Sequence, residues 1–560
     1  GLPVIDNFLY GDQSKLPDVL KEDKSHNVFY CLPLLLGLLG LFWQLFRGEK
    51  GVRQFWVVFF LFFMTGLAII LYLNQTPQQP RERDYAYAGS FYAFAIWIGL
   101  GVAAIYDWLK RFWVKQQESK AMPAAIFASV LGIIVPLQMV SQTWDDHDRS
   151  GRYLCHDSGL NYLNTMPEKL LDGTPAHPIF FCNGDNDTFP LWYNQETEGN
   201  RTDARVCNLE YLQTAWYTDQ MRRPAYDSPA LPINWLPYQY ADNGKHTYFP
   251  IHPEGKAELD AFKRSHPNGP DPYDLRYIMD NYVKTKGYFP TDSVIVHVNK
   301  QNIINQGMAL PQGKEAIPDH INLSLAWAMR NGQGGLYRKD VMIYEMLARN
   351  DWKRPMYMSV TLGTNNFAGL QDYFILEGLA YRITPFKREL GTIDTNLMYN
   401  NLMKRFRYSN LNKPGIYLDT TNMKMAQTHR NMFTMLAQRL LMEGQTAKAR
   451  EVLAMSEKML PASNIPYEEN DYQLAQIWLQ AGNAKKAGEI ATAVAKYNAQ
   501  YLDWLNSLSY SDLTSYASSC ARALRNLYSA ISVLDAAKVP QAQLYTARLK
   551  QLTGTQAGNI

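Results

Sequence analysis

Residues 75–94 read QTPQQPRERDYAYAGSFYAF, and the apolar stretches on either side are each long enough to cross a bilayer. Arg81, Glu82, Arg83 and Asp84 therefore stand within a few residues of hydrocarbon. Uncompensated charge is costly there, so such residues pair with one another, reach the headgroups or hold an anionic ligand. This constraint predicts a membrane protein with a candidate site at the membrane surface.

Four segments pass the length test for a span: Asn27–Phe46, Val52–Leu73, Ala88–Leu109 and Met122–Gln142. Pro123 and Pro136 do not exclude the last, because spanning helices tolerate proline. The loops after the first and third spans carry Arg47, Lys50, Arg53, Lys110, Arg111, Lys115 and Lys120. The loop between the second and third carries only Arg81 and Arg83, balanced by Glu82 and Asp84. Seven basic residues against two predict that the first set of loops is cytoplasmic. Residues 1–26, the charged loop and everything after Gln142 are then expected outside, in a periplasm. The sequence begins with Gly1 and shows no signal-peptide pattern before the first span, which reads as the carboxy-terminal half of a larger protein.

A net charge of +3 and the lack of a basic stripe with interleaved aromatics give no indication of nucleic-acid binding. The 36 tyrosines suit broad semi-polar surfaces for glycan or protein contact, although a tyrosine-rich core reads the same way. Cys31, Cys155, Cys182, Cys207 and Cys520 form no CxxC and no metal-ligand spacing. Cys182 and Cys207 could pair if their strands are neighbours; buried free thiols are the simpler expectation.

Residues 143–414 read as an α/β domain. The strand PIFFC (Pro178–Cys182) leads into NGDNDTF, a helical PLWYNQETEG and a second strand RVCNL (Arg205–Leu209). This is a βαβ-sized unit with its polar loop at the carboxyl end of a strand, where α/β sheets place ligands. Further strands are predicted at Ser293–Val298 and Met356–Val360, the latter after a helical Lys339–Arg349. Residues 415–560 read as wholly helical. Two stretches align with Gly444 on Gly482 and Ala449 on Ala487, an offset of 38 residues. Small residues at a tight helix–helix turn resemble tetratricopeptide-type repeats, whose period is about 34, or a plain helical bundle.

Three constellations could carry chemistry. Arg81 and Arg83 can clamp a diphosphate through bidentate guanidinium contacts, with Glu82 and Asp84 fixing their rotamers and Tyr85 at headgroup level. The same residues equally suit a self-neutralising ionic knot between two spans. Asp185 and Asp187 in GDNDT resemble an Asp-x-Asp that holds a divalent metal on a diphosphate. An Asx-turn, or a cap by Asp187 or Thr188 on a helix at Pro190, accounts for them more simply. Asp145, Asp146, His147 and Asp148 could ligate metal, but four consecutive residues do not converge without a special loop. There is no GxSxG, HExxH, Walker loop or dinucleotide fingerprint.

Together, QTPQQPRERDYAYAGSFYAFAIWIGLGV, WDDHDRSGRY, NGDNDTFPLWYNQETEGNRTDARVCNL and LQDYFILEGLAYRITPF resemble a large Bacteroidota family of multi-spanning membrane proteins, long labelled a domain of unknown function. That family is grouped by similarity with GT-C glycosyltransferases related to protein O-mannosyltransferases. The resemblance spans most of residues 1–390. It implies an inner-membrane enzyme of a Gram-negative bacterium, with its large domain in the periplasm. Such an enzyme transfers sugar from a polyprenyl-phosphate donor to envelope proteins. GT-C enzymes place their catalytic carboxylate in the first external loop, so this sequence offers no residue for that role and leaves it to the amino-terminal half. A membrane-anchored scaffold recruiting envelope proteins through its helical tail is the competing expectation.

The loop bias is open to a direct test. A cysteine placed between Lys110 and Lys120 should resist membrane-impermeant thiol reagents in intact cells. One placed at Asn412 should react once the outer barrier is breached; the reverse pattern overturns the topology.

Overall fold

A computed structural model describes residues 3–25, 27–74, 83–114, 117–144, 150–241, 247–308, 316–330, 332 and 334–556. It divides into two compact units, one of Gly1–Asp148 with Tyr497–Ala523 and one of Arg149–Lys496 with Leu524–Ile560.

The first unit is built on apolar helices. Gly48–Leu73, Tyr85–Val114 and Glu118–Thr143 are long and apolar enough to cross a membrane, with 11%, 28% and 17% of their most apolar windows buried inside the protein. Helices of this length with so much outward apolar surface point to a membrane protein. Leu32–Leu45 is as apolar but has 14 residues, about 21 Å of helix against the ~30 Å hydrocarbon core. Its start is set by Tyr30 and Cys31, both with left-handed backbone, and by Pro33 in its first turn.

Small residues let these helices meet backbone to backbone. A Cβ on Gly40 would stand 1.9 Å from the Trp97 carbonyl oxygen, and one on Gly101 would stand 2.2 Å from that of Leu36. Such close crossings are how helices associate in lipid, where burial gives no hydrophobic gain. Polar side chains lock the crossing. Buried Trp97 donates to Gln44 Oε1 at 2.9 Å, and Trp43 donates to Asp107 Oδ2 at 2.9 Å. Within the same unit, Trp504 donates to the Tyr10 carbonyl and the Asp12 amide donates to Ser507 Oγ.

The second unit holds a five-stranded sheet whose order is Arg205–Asn208, Ile179–Cys182, Met356–Ser359, Ala380–Ile383, Phe374–Leu376. Its strands are β1 (Ile179–Cys182), β2 (Arg205–Asn208), β7 (Met356–Ser359), β8 (Phe374–Leu376) and β9 (Ala380–Ile383). The remaining strands pair off antiparallel: β3 (Tyr248–Pro250) with β6 (Gly335–Tyr337), and β4 (Ser293–His297) with β5 (His320–Ser324). β1 is parallel to both β2 and β7, with Ile179 opposite Arg205 and Met356. β9 is antiparallel to both β7 and β8. The run IFFC is buried at every residue, as a strand covered on both faces must be. Ile179 and Phe181 enter the main core with Trp235, Phe249, Tyr344 and Met358, while Phe180 meets Tyr162 of the helix Gly151–Thr165 at 5.7 Å between ring centres.

Cys182 and Cys207 lie on neighbouring strands as buried free thiols. The helix after β1 begins at Asp185, five residues before Pro190, with Gly184 rather than Asp187 or Thr188 at its cap. Two carboxylates in the first turn favour this early start, because they complement the positive end of the helix. In the helical tail the two aligned turns share one geometry. Gly444 and Gly482 have left-handed φ of 75° and 87°. The amides of Gln445 and Asn483 reach back to Leu440 and Trp478, a Schellman closure in each case.

The helix crossing yields a paired test. Gly40→Ala forces the helices apart and should cost about 1–3 kcal/mol, seen as a lower melting temperature in detergent. Gly99→Ala, where an added Cβ meets nothing within 4 Å, should leave it unchanged or higher.

Candidate functional site

Parallel strands put their carboxyl ends on one edge. Here β2, β1 and β7 deliver Asn208, Cys182 and Ser359 to that edge. The chain leaves β1 toward β2 on one side, while β7 is added on the other. The β1–β7 boundary is thus the point where strand order reverses, the position at which open α/β sheets form a crevice.

At that boundary sits Asp187, 5% exposed. Its Oδ2 accepts from Thr361 Oγ1 at 2.7 Å, and Thr361 in turn shares a 2.6 Å hydrogen bond with Ser359 Oγ. The phenol of buried Tyr162 faces the same two hydroxyls. Oδ1 of Asp187 is buried without a hydrogen-bond partner. Burial drives the Asp187 carboxyl above the ordinary carboxylate range, against the opposing pull of the Thr361 and Ser359 hydroxyls and of nearby backbone amides. Beside it, Thr188 Oγ1 accepts from Asn208 Nδ2 at 2.9 Å and meets Cys182 Sγ at 3.1 Å, a second polar group at the end of the strands.

The structure separates the two carboxylates of GDNDT. Asp185 and Asp187 are two residues apart on one helix and so diverge by about 200°; Asp185 is exposed while Asp187 turns inward. Among the described residues no three of His, Cys, Asp and Glu converge as a metal site. Of the charged segment between spans, Arg81 and Glu82 lie outside the described residues. Arg83 is exposed and precedes the short 3-10 turn Asp84–Tyr87 that opens the long helix Tyr85–Val114, and Tyr85 on that turn is exposed as well. Asp145, Asp146, His147 and Asp148 also lie outside the described residues.

A histidine that sequence reading passed over joins this domain's helices. His156 stands between Asp157 Oδ1 and Glu198 Oε2, both at 2.9 Å. Burial pulls its pKa down, but its hydrogen bonds to Glu198 and Asp157 outweigh that and leave it raised. With both nitrogens engaged, His156 is a pin rather than a free base. No local motif marks it, because Glu198 is 42 residues away.

Residues 155–401 match the family model described as TMEM260-associated domain 2. The match contains all nine of these strands and the whole carboxyl edge of the central sheet. No curated protein and no solved structure matches the chain.

The raised Asp187 pKa has a definite sign in stability. The folded state holds this proton more tightly than the unfolded chain, whose value is near 3.8. The stability it confers is complete below that value and is lost as pH rises through the folded one. Asp187→Asn removes the titration. The melting temperature of the natural protein relative to this variant should therefore fall as pH rises from acid to neutral; a constant difference overturns the assignment.

Proposed function

We propose that this chain is the carboxy-terminal half of a membrane glycosyltransferase. It uses a polyprenyl-phosphate-linked sugar to glycosylate envelope proteins on the extracytoplasmic face of a bacterial inner membrane. The observation that carries this reading is the segment PRERDYAY, which connects two helices long enough to cross a bilayer. A lipid-linked phosphate presents its charge at that depth, and paired arginines match it by fork geometry. The resemblance of long stretches to the GT-C-like family supports the same reading. Leu32–Leu45 serves as a fourth crossing, its deficit in length met by local thinning of the bilayer. The amino-terminal half supplies the catalytic carboxylate, the unit carrying the central sheet lies in the periplasm, and the helical tail docks acceptor proteins.

Arginine replacements in the full-length protein test this. Arg81→Lys keeps charge but loses the bidentate fork, and should lower glycosylation of envelope proteins about tenfold, equivalent to ~1.4 kcal/mol. If Arg81→Ala with Arg83→Ala leaves glycosylation intact while envelope proteins still copurify with the chain, it is a membrane-anchored scaffold instead.

A further inference from the structure

The first helix after β1 carries Asp185, Phe189 and Trp192 at i, i+4 and i+7, a spacing that sets all three on one face. Trp192 stacks on Tyr211, which follows β2, at 6.1 Å and 20° between ring planes. Phe189 continues the row on one side at 5.7 Å from Trp192, and Trp216 continues it on the other at 6.0 Å from Tyr211. Four rings thus form a continuous ribbon beside the carboxyl edge of β1 and β2. Its ends are open to solvent: Phe189 is 48% exposed and Trp216 is 58% exposed. Its middle is rigid, since Trp192 and Tyr211 pack against the main core and Tyr217 OH accepts from the Asn208 amide at 3.0 Å.

The surroundings of the ribbon are polar. Asp185, Asn186 and Glu210 are exposed around it, and Asn183 is half-buried at the end of β1. A surface sunk in hydrocarbon would not set carboxylates among its aromatics, because charge is expensive there. We propose that the ribbon Phe189–Trp192–Tyr211–Trp216, with Asp185 at its end, binds a carbohydrate chain. A sugar ring has an apolar face of polarised C–H groups, which meets the electron-rich face of an aromatic ring. Its rim is all hydroxyl, and a carboxylate is an acceptor-only group with about four lone-pair sites for such donors. Rings held by the core before binding lose little entropy when the ligand arrives. The inference goes beyond the proposed transfer reaction, since binding here needs neither turnover nor the arginine segment.

Saturation-transfer NMR on the full-length protein in detergent tests it, with mannotetraose and cellotetraose as probes at millimolar concentration. At least one should receive saturation, strongest at its C–H protons. Phe189→Ala and Trp216→Ala should each weaken binding about tenfold, and Asp185→Asn about threefold. Trp216→Phe keeps a ring face and should retain most of the binding, which separates ligand contact from misfolding. Arg81→Ala with Arg83→Ala should leave the signal unchanged whether or not transfer is lost. No saturation of either probe, or saturation that survives loss of both Phe189 and Trp216 side chains, overturns the proposal.

Discussion

Buried backbone carbonyls need donors, and in the α/β unit arginine supplies them. The unit contains long irregular stretches whose carbonyls cannot find partners in a ladder, and an unpaired buried carbonyl costs about 1–3 kcal/mol. Arg354 donates to the carbonyls of His177, Pro229 and Ala230 and to Ser228 Oγ. Arg201 ties down Met166 and Pro167, and fully buried Arg338 holds Gln213 and Ala241. Arg430 does the same in the helical tail, gathering Leu460, Ile465 and Pro466. One rigid fork with five donors can satisfy three acceptors, which lysine's compact ammonium cannot do in a plane. Burial, reinforced by the charge of Arg205, lowers the Arg354 pKa to about 10, yet the group remains a cation at neutral pH.

This bonding fixes the loops that frame the sheet, and the sheet fixes the site. His177 and Arg354 each stand two residues before their strands, β1 and β7, so a single guanidinium sets the entry of two adjacent parallel strands. Their exits are thereby registered as well, which brings Asp187 of the loop–helix after β1 onto Thr361 after β7. On the opposite side of β1, the same helix lays Trp192 onto Tyr211. The buried carboxyl and the exposed aromatic ribbon are two products of one strand–helix–strand unit.

The βαβ unit was legible because its signals are local. A continuous apolar run, a polar loop and a second β-rich run mark β1 and β2, and the structure has them at Ile179–Cys182 and Arg205–Asn208. The paired glycine turns were legible for the same reason, since left-handed closure selects glycine at Gly444 and Gly482. The Tyr- and Pro-rich stretch between β2 and β4 was not legible. Its order rests on Trp235 and Tyr240 buried in the core and on carbonyls held by arginines about 100 residues away. Nothing in a window of sequence distinguishes such an arginine from a solvated one. The aromatic ribbon was hidden similarly, because Trp192 and Tyr211 meet only through the parallel pairing of β1 with β2.

Asp187 stands apart among the buried carboxyls of this unit. Glu377 is met by Arg382 and by the Tyr357 hydroxyl, Glu345 by Lys284 and Arg349, Asp340 by Lys339, and Asp471 by Arg430. Each of these exchanges hydration for a cation, which keeps the cost of burial bearable. Asp187 has hydroxyls and backbone for neighbours and one oxygen without a partner. Burial favours the proton here, as it does at Glu377, Asp340 and Asp471, but at Asp187 no cation opposes it. A fold that supplies arginines so freely elsewhere leaves this carboxyl without a cation at the carboxyl edge of β1 and β7.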